Sequence, residues 1–207
     1  MSTSMRRWHV GVSDDAELSL RERTRRAVRS EIATAAMEVF GRQGFETTTV
    51  AQIAQAAGIS RRSYFRYFAN KDAALAEGLT GIGREIVTAL TGRPTAEPAW
   101  DALRRAFDPL LQRVETEPGA RALGRLMLEQ PALQHSKETS WLETITDALE
   151  PRMSGREGDA RFQAQALAAA ALACLHTAQA RWLSTEDTCL TNLLDTAMST
   201  VHPLTSP

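Results

Sequence analysis

Cysteine is scarce in this chain, whose 207 residues include only Cys174 and Cys189. The two form no CxxC pair, so the sequence supports neither a disulfide framework nor a zinc cluster. We therefore predict no metal and no cofactor. The low cysteine content also fits a reducing compartment, and we expect the protein to be cytoplasmic.

Long hydrophobic runs are also missing. No apolar run approaches the roughly 20 residues that cross a bilayer, and the N-terminus has no apolar core of signal-peptide length. The longest apolar stretch, from Ala166 to Leu175, is alanine-rich and is bounded by Arg161 and Arg181. This pattern is typical of a packed helix, so we expect no contact with a membrane.

The sequence has none of the short motifs that mark common catalytic sites. There is no HExxH, GxSxG, Walker loop or dinucleotide-binding fingerprint. The four histidines are scattered along the chain, at His9, His135, His176 and His202. We predict that the protein is not an enzyme.

Charge is balanced overall but not along the chain. The formal net charge is −1, yet residues 1–71 hold twelve Lys or Arg against seven Asp or Glu, and residues 72–207 hold twelve against eighteen. The N-terminal third is thus basic and the remainder acidic, which suggests that only the N-terminal part meets a polyanion. Chance clustering of solvated arginines is the alternative.

Helical spacing of apolar residues, in contrast, is present in several segments of the chain. Between residues 28 and 40 it predicts a first helix, which Gly44 ends. Thr49 and Gln52 then match a capping box, which starts a second helix. Gly58 stops that helix after about two turns.

Capping residues also mark the helices that follow. Ser60 is suited to cap a third helix that reaches about residue 67, and Asn70 to cap a longer fourth. Further helical patterns occupy residues 97–115, 119–129, 138–150, 159–183 and 187–201. Because no alternating strand pattern occurs, we predict an all-α fold with about nine helices.

The segment GISRRSYFRYF, residues 58–68, combines three arginines with four aromatic rings. On a helical wheel Tyr64 and Phe68 fall on one side, where they complete a small core. The other side turns polar groups outward, namely Arg62, Ser63, Arg66 and Tyr67. Two short helices of this kind are typical of a helix-turn-helix, whose second helix enters the major groove of DNA. The alternative is an ordinary helical hairpin with a solvated basic face.

The run from Ile32 to Leu75 resembles the DNA-binding domain of TetR-family transcriptional regulators along its full length. The matching features are the alanine pair before Phe40, Gly44-Phe45, Thr47–Val50, Ile53-Ala54, Ala57–Ser60, Tyr67-Phe68 and Lys71. The resemblance implies a DNA-binding domain at residues 23–70 and a helical body at 71–207 that dimerises and encloses a ligand pocket. Residues 1–22, which lack periodicity, are expected to form a flexible arm.

The same resemblance implies individual roles in DNA binding. The residues expected to contact bases are Arg61, Arg62 and Ser63. Those expected to contact phosphates are Thr48, Thr49, Phe65, Arg66, Tyr67 and Lys71. The basic cluster that opens the first helix adds Arg26 and Arg29 to the phosphate contacts. Phe65 departs from the family, which often has tyrosine there. Because its ring cannot donate a hydrogen bond to phosphate, we expect it to pack or to contact a thymine methyl group.

The body offers candidates for two further surfaces. Larger side chains that would suit a ligand pocket are Phe107, Leu123, Leu126, Met127, Trp141, Ile145, Leu172 and His176. An ordinary hydrophobic core would use the same residue types, so a pocket and a core both remain possible interpretations. By resemblance the last two helices form the dimer contact, with candidates Ala166, Ala170, Leu190, Leu194, Ala197 and Val201.

These features together predict a TetR-like homodimeric repressor. It would bind a palindromic operator in double-stranded DNA and be released by a small-molecule effector. The alternative is a DNA-binding regulator or architectural protein that has no small-molecule effector.

Overall fold

The computed structural model describes residues 19–117, 119–129, 131–154 and 158–205, with the backbone alone at 131–133 and 136. These residues contain no strand, so the all-α prediction is confirmed. They form ten helices: α1 (Leu20–Gln43), α2 (Val50–Ala56), α3 (Arg61–Phe65), α4 (Lys71–Thr91), α5 (Ala99–Ala106), α6 (Asp108–Thr116), α7 (Ala120–Glu129), α8 (Pro131–Met153), α9 (Ala160–Ser184) and α10 (Leu190–Val201).

Helix α1 begins inside the segment that we expected to be a flexible arm. Ser19 and Glu22 form a capping box, in which the Ser19 hydroxyl accepts from the Glu22 N–H and the Glu22 carboxylate accepts from the Ser19 N–H. This S-x-x-E pattern was readable from the sequence, and it starts the helix at Leu20. The rest of the predicted arm, residues 1–18, lies outside the described residues.

The short helices of the N-terminal part start at the predicted caps. Thr49 and Gln52 form the capping box of α2, and the Ser60 hydroxyl accepts from the Ser63 N–H at 3.0 Å to open α3. Between these helices Gly58 has a φ of 67°, in the left-handed region that favours glycine. The turn between α2 and α3 is therefore set by local chemistry.

The predicted single helix at 97–115 is wrong, because the chain forms two helices there. Helix α5 ends at Ala106 and α6 starts at Asp108, with Phe107 between them. Pro109 lies in the first turn of α6, where its missing N–H costs nothing. In the interior of one continuous helix, the ring of Pro109 would have clashed with the carbonyl of the preceding turn. The helix therefore breaks just before Pro109.

Helix α8 is longer than the predicted 138–150. It starts at Pro131, whose fixed φ suits a first helical position, and runs through Pro151 to end at Met153. The polar residues before 138 have no apolar periodicity, which is why the pattern missed them. Pro151 lies in the last turn, where the loss of one backbone hydrogen bond is tolerated.

A continuous apolar core joins the two parts of the molecule. Helices α1, α2 and α3 form a small head, and α4 packs against both α1 and α8. In the body α8 and α10 both pack against α9. The core runs from Ile32 in α1 to Met198 in α10.

The head also meets the body at a glycine contact. Gly41, buried in the last turns of α1, faces Gly119 just before α7. A Cβ placed on Gly119 would lie 1.2 Å from the carbonyl oxygen of Gly41. Only glycine fits at position 119, so the backbones of head and body touch there directly.

Candidate DNA-binding face and internal cavity

The third helix is held in place by two buried rings. Tyr64 is fully buried, its ring centroid lies 5.6 Å from that of Phe68, and its hydroxyl donates to the Asn70 carbonyl at 3.0 Å. Burial, with a smaller contribution from the charge of Asp72, raises the pKa of Tyr64 to about 12. Tyr64 therefore serves as a neutral structural group beneath the outer face of α3.

The outer face of α3 is basic and accessible. Arg61, Arg62 and Arg66 are exposed, and the side chain of Phe65 is 51% exposed. The Arg66 guanidinium donates to the Tyr67 hydroxyl at 3.2 Å. Because Phe65 is about half exposed, packing within the head does not cover its whole ring.

Ser63 and Thr49 lie beside this basic face. Ser63 is half-buried, and its Oγ accepts from the Ser60 hydroxyl at 3.0 Å. Thr49 is exposed at the amino end of α2, where its hydroxyl donates to Gln52 at 2.9 Å. The free amides of a helix N-terminus favour an anion at such a place.

Arg26 lies farther along the head, exposed on α1 one turn after Glu22. The Ser19 hydroxyl and N–H lower the pKa of the Glu22 carboxyl, and the charge of Arg26 adds to this effect. The Arg26 guanidinium is thus part of a solvent-facing charge pair at the start of the helix.

Three residues that we expected to touch phosphates are instead engaged inside the head. The Lys71 Nζ donates to the carbonyls of Phe45, Glu46 and Thr48, at 2.7, 3.2 and 3.4 Å. It also lies 4.3 Å from the centroid of the Phe45 ring. Its ammonium group has three N–H bonds, so these carbonyls account for all of them. We revise its expected role from phosphate contact to holding the loop between α1 and α2.

Arg29 and Thr48 need the same revision. Arg29 donates to the Tyr67 carbonyl and to the Glu77 carboxylate, which joins α1 to α4. Thr48 is 3% exposed, and its hydroxyl donates to the Gly44 carbonyl at 2.6 Å. These bonds are made within the protein, although the Arg29 side chain remains 32% exposed.

A glutamine pair that the sequence analysis overlooked ties α1 to α2. Gln43 donates to the Thr48 hydroxyl at 3.2 Å and accepts from Gln52 at 3.3 Å. Gln52 also serves the capping box of α2, so it has two partners. The capping box was visible in the sequence, but its link to α1 depends on how the helices cross.

A cavity of about 440 Å³ lies between the head and the body. Its wall includes Ala33 and Met37 of α1, Ile82 of α4 and Trp182 of α9. Helices α6, α7 and α8 complete the wall. This volume lies within the range of small-molecule pockets, and the lining is mainly apolar.

The predicted pocket residues divide between this wall and the plain core. Leu123, Met127 and Trp141 lie in the wall. The other candidates lie elsewhere: Phe107 and Ile145 are buried in the core, Leu126 and Leu172 pack on it, and the His176 ring is bonded to Gln134. We correct the candidate set accordingly. We did not predict that α1 contributes to the cavity wall, because its apolar stripe is equally typical of a helix that packs in a hydrophobic core.

The predicted dimer residues also divide. Leu190 and Leu194 are fully buried within the protomer, so they are not available to a partner, and these two candidates are withdrawn. Ala166 is exposed and Ala170 half-buried on α9, while Ala197 is half-buried and Val201 is 59% exposed on α10. The outward side of α9 also carries the exposed small residues Ala169 and Ala173, together with the exposed ring of Phe162, which the sequence pattern did not indicate.

A known bacterial protein resembles this chain over most of its length. It is MftR of Mycobacterium tuberculosis, described as a proposed mycofactocin biosynthesis transcriptional regulator. The two are 31% identical over 183 residues, which is 86% of this chain and 91% of MftR. A family model for bacterial regulatory proteins of the tetR family matches residues 32–77, and one for the MftR C-terminal domain matches 97–205.

This chain belongs to the TetR family of transcriptional regulators. The HTH-type transcriptional regulator TcmR of Streptomyces glaucescens is 38% identical over 95 residues, 46% of this chain and 42% of TcmR. The chain therefore matches less than half the length of TcmR. A TetR-family regulator from Pectobacterium atrosepticum has the same fold, with a TM-score of 0.61 at 17% identity over 89% of this chain and 94% of that one.

The TetR-family matches agree with the helices of the structure. The first family match begins inside α1 and ends in α4, so it covers the head and its junction with the body. The second begins just before α5 and continues past α10. Among the described residues, no helix is both long and apolar enough to cross a bilayer.

Proposed function

We propose that this TetR-family regulator is a homodimeric repressor that a small-molecule effector releases from its operator. The cavity supports this proposal most directly, because α1 of the head forms part of its wall together with α4. A molecule filling the cavity would contact both the head and the body. The head at residues 23–70 and the body at 71–207 are the units that we expect to move relative to each other.

In this proposal the outer face of α3 reads the operator. Arg61, Arg62 and Ser63 are at the start of α3, from which recognition helices reach base edges. Arginine can bond both acceptors of a guanine, so guanine is the expected base opposite Arg62. Phosphates would be held by the groups that remain accessible, Arg26, Thr49, Arg66 and Tyr67.

The dimer contact would use the outward side of α9 and the end of α10. Phe162 is 68% exposed there, and an exposed large apolar side chain of this kind is stabilised when a partner covers it. The alanines along α9 allow a second helix to approach closely. A two-fold dimer would present two α3 helices to one side of the DNA, which matches a palindromic operator.

Release would follow from differential binding. A ligand that fits the cavity better in one arrangement of head and body shifts the population toward that arrangement. If the two heads are then wrongly spaced for successive major grooves, operator affinity falls. The ion pair between Arg29 of α1 and Glu77 of α4 would couple the cavity to the head, because Glu77 also lines the cavity.

The proposal is tested by selecting bound sequences from a random pool of double-stranded DNA, at a stated salt concentration. We expect a two-fold palindrome. Small molecules that raise the melting temperature of the protein are then added to the operator complex, and true effectors should dissociate it. Binding without sequence enrichment would favour an architectural protein. A palindrome that no stabilising molecule releases would favour a regulator without an effector.

A further inference from the structure

Lys137 holds an unusual position at the wall of the cavity. It lies on α8, with its Nζ 5.1 Å from the centroid of the Trp141 ring. Trp141 is itself fixed, since its Nε1 donates to the Leu79 carbonyl at 2.9 Å. On its other side Lys137 lines a smaller hollow of about 310 Å³. A cationic side chain thus stands beside an immobile ring at an apolar wall.

The other cations of the wall already have carboxylate partners. The Arg84 guanidinium lies 3.5 Å from the Glu77 carboxylate, which also forms an ion pair with Arg29 at 2.9 Å. Arg113 is paired with Glu85. Lys137, by contrast, has no ion pair or hydrogen bond to any residue in the described part of the chain.

Glu138, which carries the carboxylate nearest in sequence, forms no ion pair with Lys137 either. The Glu138 carboxylate lies 3.3 Å from the His176 Nδ1 and accepts from the Gln134 side-chain amide. Burial lowers the pKa of Lys137, and the charge of Glu138 opposes this effect. A partly desolvated ammonium without a counter-ion is costly, so an anion beside it would be stabilising.

Other parts of the wall disfavour an anion. Glu38 of α1 and Glu117 lie in the wall as well. Burial raises the pKa of Glu117; Arg113 opposes the rise, and the neighbouring charge of Glu38 adds to it. The wall also contains apolar side chains, among them Ile82, Leu123 and Met127. It therefore combines apolar and acidic side chains with one cation, Lys137, that has no carboxylate partner among the described residues.

We propose that this cavity binds a small organic carboxylate, with the carboxylate group at the Lys137 Nζ and the apolar part along Leu123 and Met127. The inference rests on the proposed function, for which it names the chemical class of the effector. The carboxylate supplies the counter-ion that Lys137 lacks, and the acidic residues of the wall disfavour its placement beside them. Lys137 is then the residue that selects an acid over a neutral molecule of the same shape.

The test uses the full-length protein and three matched series of probes. These are straight-chain carboxylic acids of graded length, with the primary alcohol and the primary amine of the same chain for each. Affinity is measured by calorimetry. Lys137→Met removes the charge but keeps the length of the side chain, and Lys137→Arg keeps the charge. Arg125→Met is the control for loss of one positive charge, because Arg125 is exposed on α7 and does not line the cavity.

We expect acids to bind the unmodified protein at least about tenfold more tightly than their alcohols. Lys137→Met should abolish that preference without weakening alcohol binding, whereas Lys137→Arg and Arg125→Met should retain it. If alcohols bind as tightly as acids, or if Lys137→Met keeps the preference, the inference is wrong.

The same measurements separate this inference from the proposed function. If amines or alcohols bind best and release the operator, the protein is still ligand-responsive, and only the carboxylate assignment fails. If no probe of any series binds, the carboxylate assignment also fails, while a wider thermal-shift screen with operator release decides the proposed function separately. If acids bind as expected but leave the operator complex intact, the site is correct and effector control is not.

Discussion

At the scale of single residues, positive charge on the head has two separate uses. Arg61, Arg62 and Arg66 stand in solvent on the outer face of α3. Lys71 and Arg29 are instead bonded to carbonyls and a carboxylate of the protein. Cations of the first kind are the proposed DNA contacts, and cations of the second kind hold the helices together. The two kinds should therefore respond differently when the charge is removed.

Lys71→Met tests the internal use of charge. Because the three carbonyls lose a charged donor, we expect the free energy of unfolding to fall by about 1–3 kcal/mol, measured by chemical denaturation. The salt dependence of DNA binding should stay unchanged. Arg66→Met is the matched control, with little effect on stability but a salt slope lower by about one. The reverse result would restore Lys71 as a phosphate contact.

Arg62→Ala tests base reading. Loss of a bidentate contact should cost about 1–3 kcal/mol at one base position in each half-site and relax the preference for guanine there. Competition binding with operators altered at single positions measures this directly. A uniform loss across all operator variants would mean that Arg62 contacts phosphate rather than a base.

At the scale of elements, glycines set two junctions for different reasons. Gly58 supplies a positive φ in the turn between α2 and α3, with nothing within 4 Å of an added Cβ. Gly119 instead supplies room, because the backbone of Gly41 occupies the place of a Cβ. The first junction is a matter of local conformation and the second of close approach between head and body.

Substitution by alanine separates these two reasons. Gly58→Ala should lower the free energy of unfolding by about 1–2 kcal/mol, the cost of a left-handed conformation for a residue with a Cβ. Gly119→Ala should cost more, above about 3 kcal/mol, since a backbone has to move. Thermal unfolding of the two variants side by side gives the order. Equal losses would contradict the close contact between Gly41 and Gly119.

At the scale of the whole molecule, the cavity and the outward side of α9 lie on different parts of the body. The cavity lies between α1, α4 and the helices of the body, whereas Phe162 and Ala169 are exposed on α9. In the proposed function, ligand binding and dimerisation would therefore use separate surfaces of one core. A substitution on α9 should change the oligomeric state without closing the cavity.

Ala169→Arg tests the dimer surface. A long charged side chain on the outward side of α9 should convert the dimer to a monomer, seen by light scattering after size exclusion. Operator affinity should fall by about a hundredfold or more, because the two heads are no longer linked. Ala122→Arg places the same side chain on an exposed position of α7 and should leave the dimer intact. An unchanged mass for Ala169→Arg would place the contact elsewhere.

Much of this architecture was determined by the sequence alone, because its signals act over a few residues. Thr49, Ser60 and Asn70 cap helices by bonding to N–H groups three residues away, so the starts of α2, α3 and α4 were predictable. Tyr64 and Phe68 lie four residues apart on one side of the third helix and are buried as predicted. The break at Phe107 was also a local signal, carried by Pro109, and was overlooked.

Only the tertiary structure decided which side chains face which partner. The carbonyls that hold Lys71 are 23 to 26 residues away in the chain, and the Glu77 that holds Arg29 is 48 residues away. Periodicity likewise gave α10 its apolar stripe but not the fact that Leu190 and Leu194 fill their own protomer. A pattern along one helix defines a face, whereas the partner of that face depends on how distant helices cross. For the same reason the cavity wall, which includes Lys137, could be found only after α1, α4 and α8 were placed together.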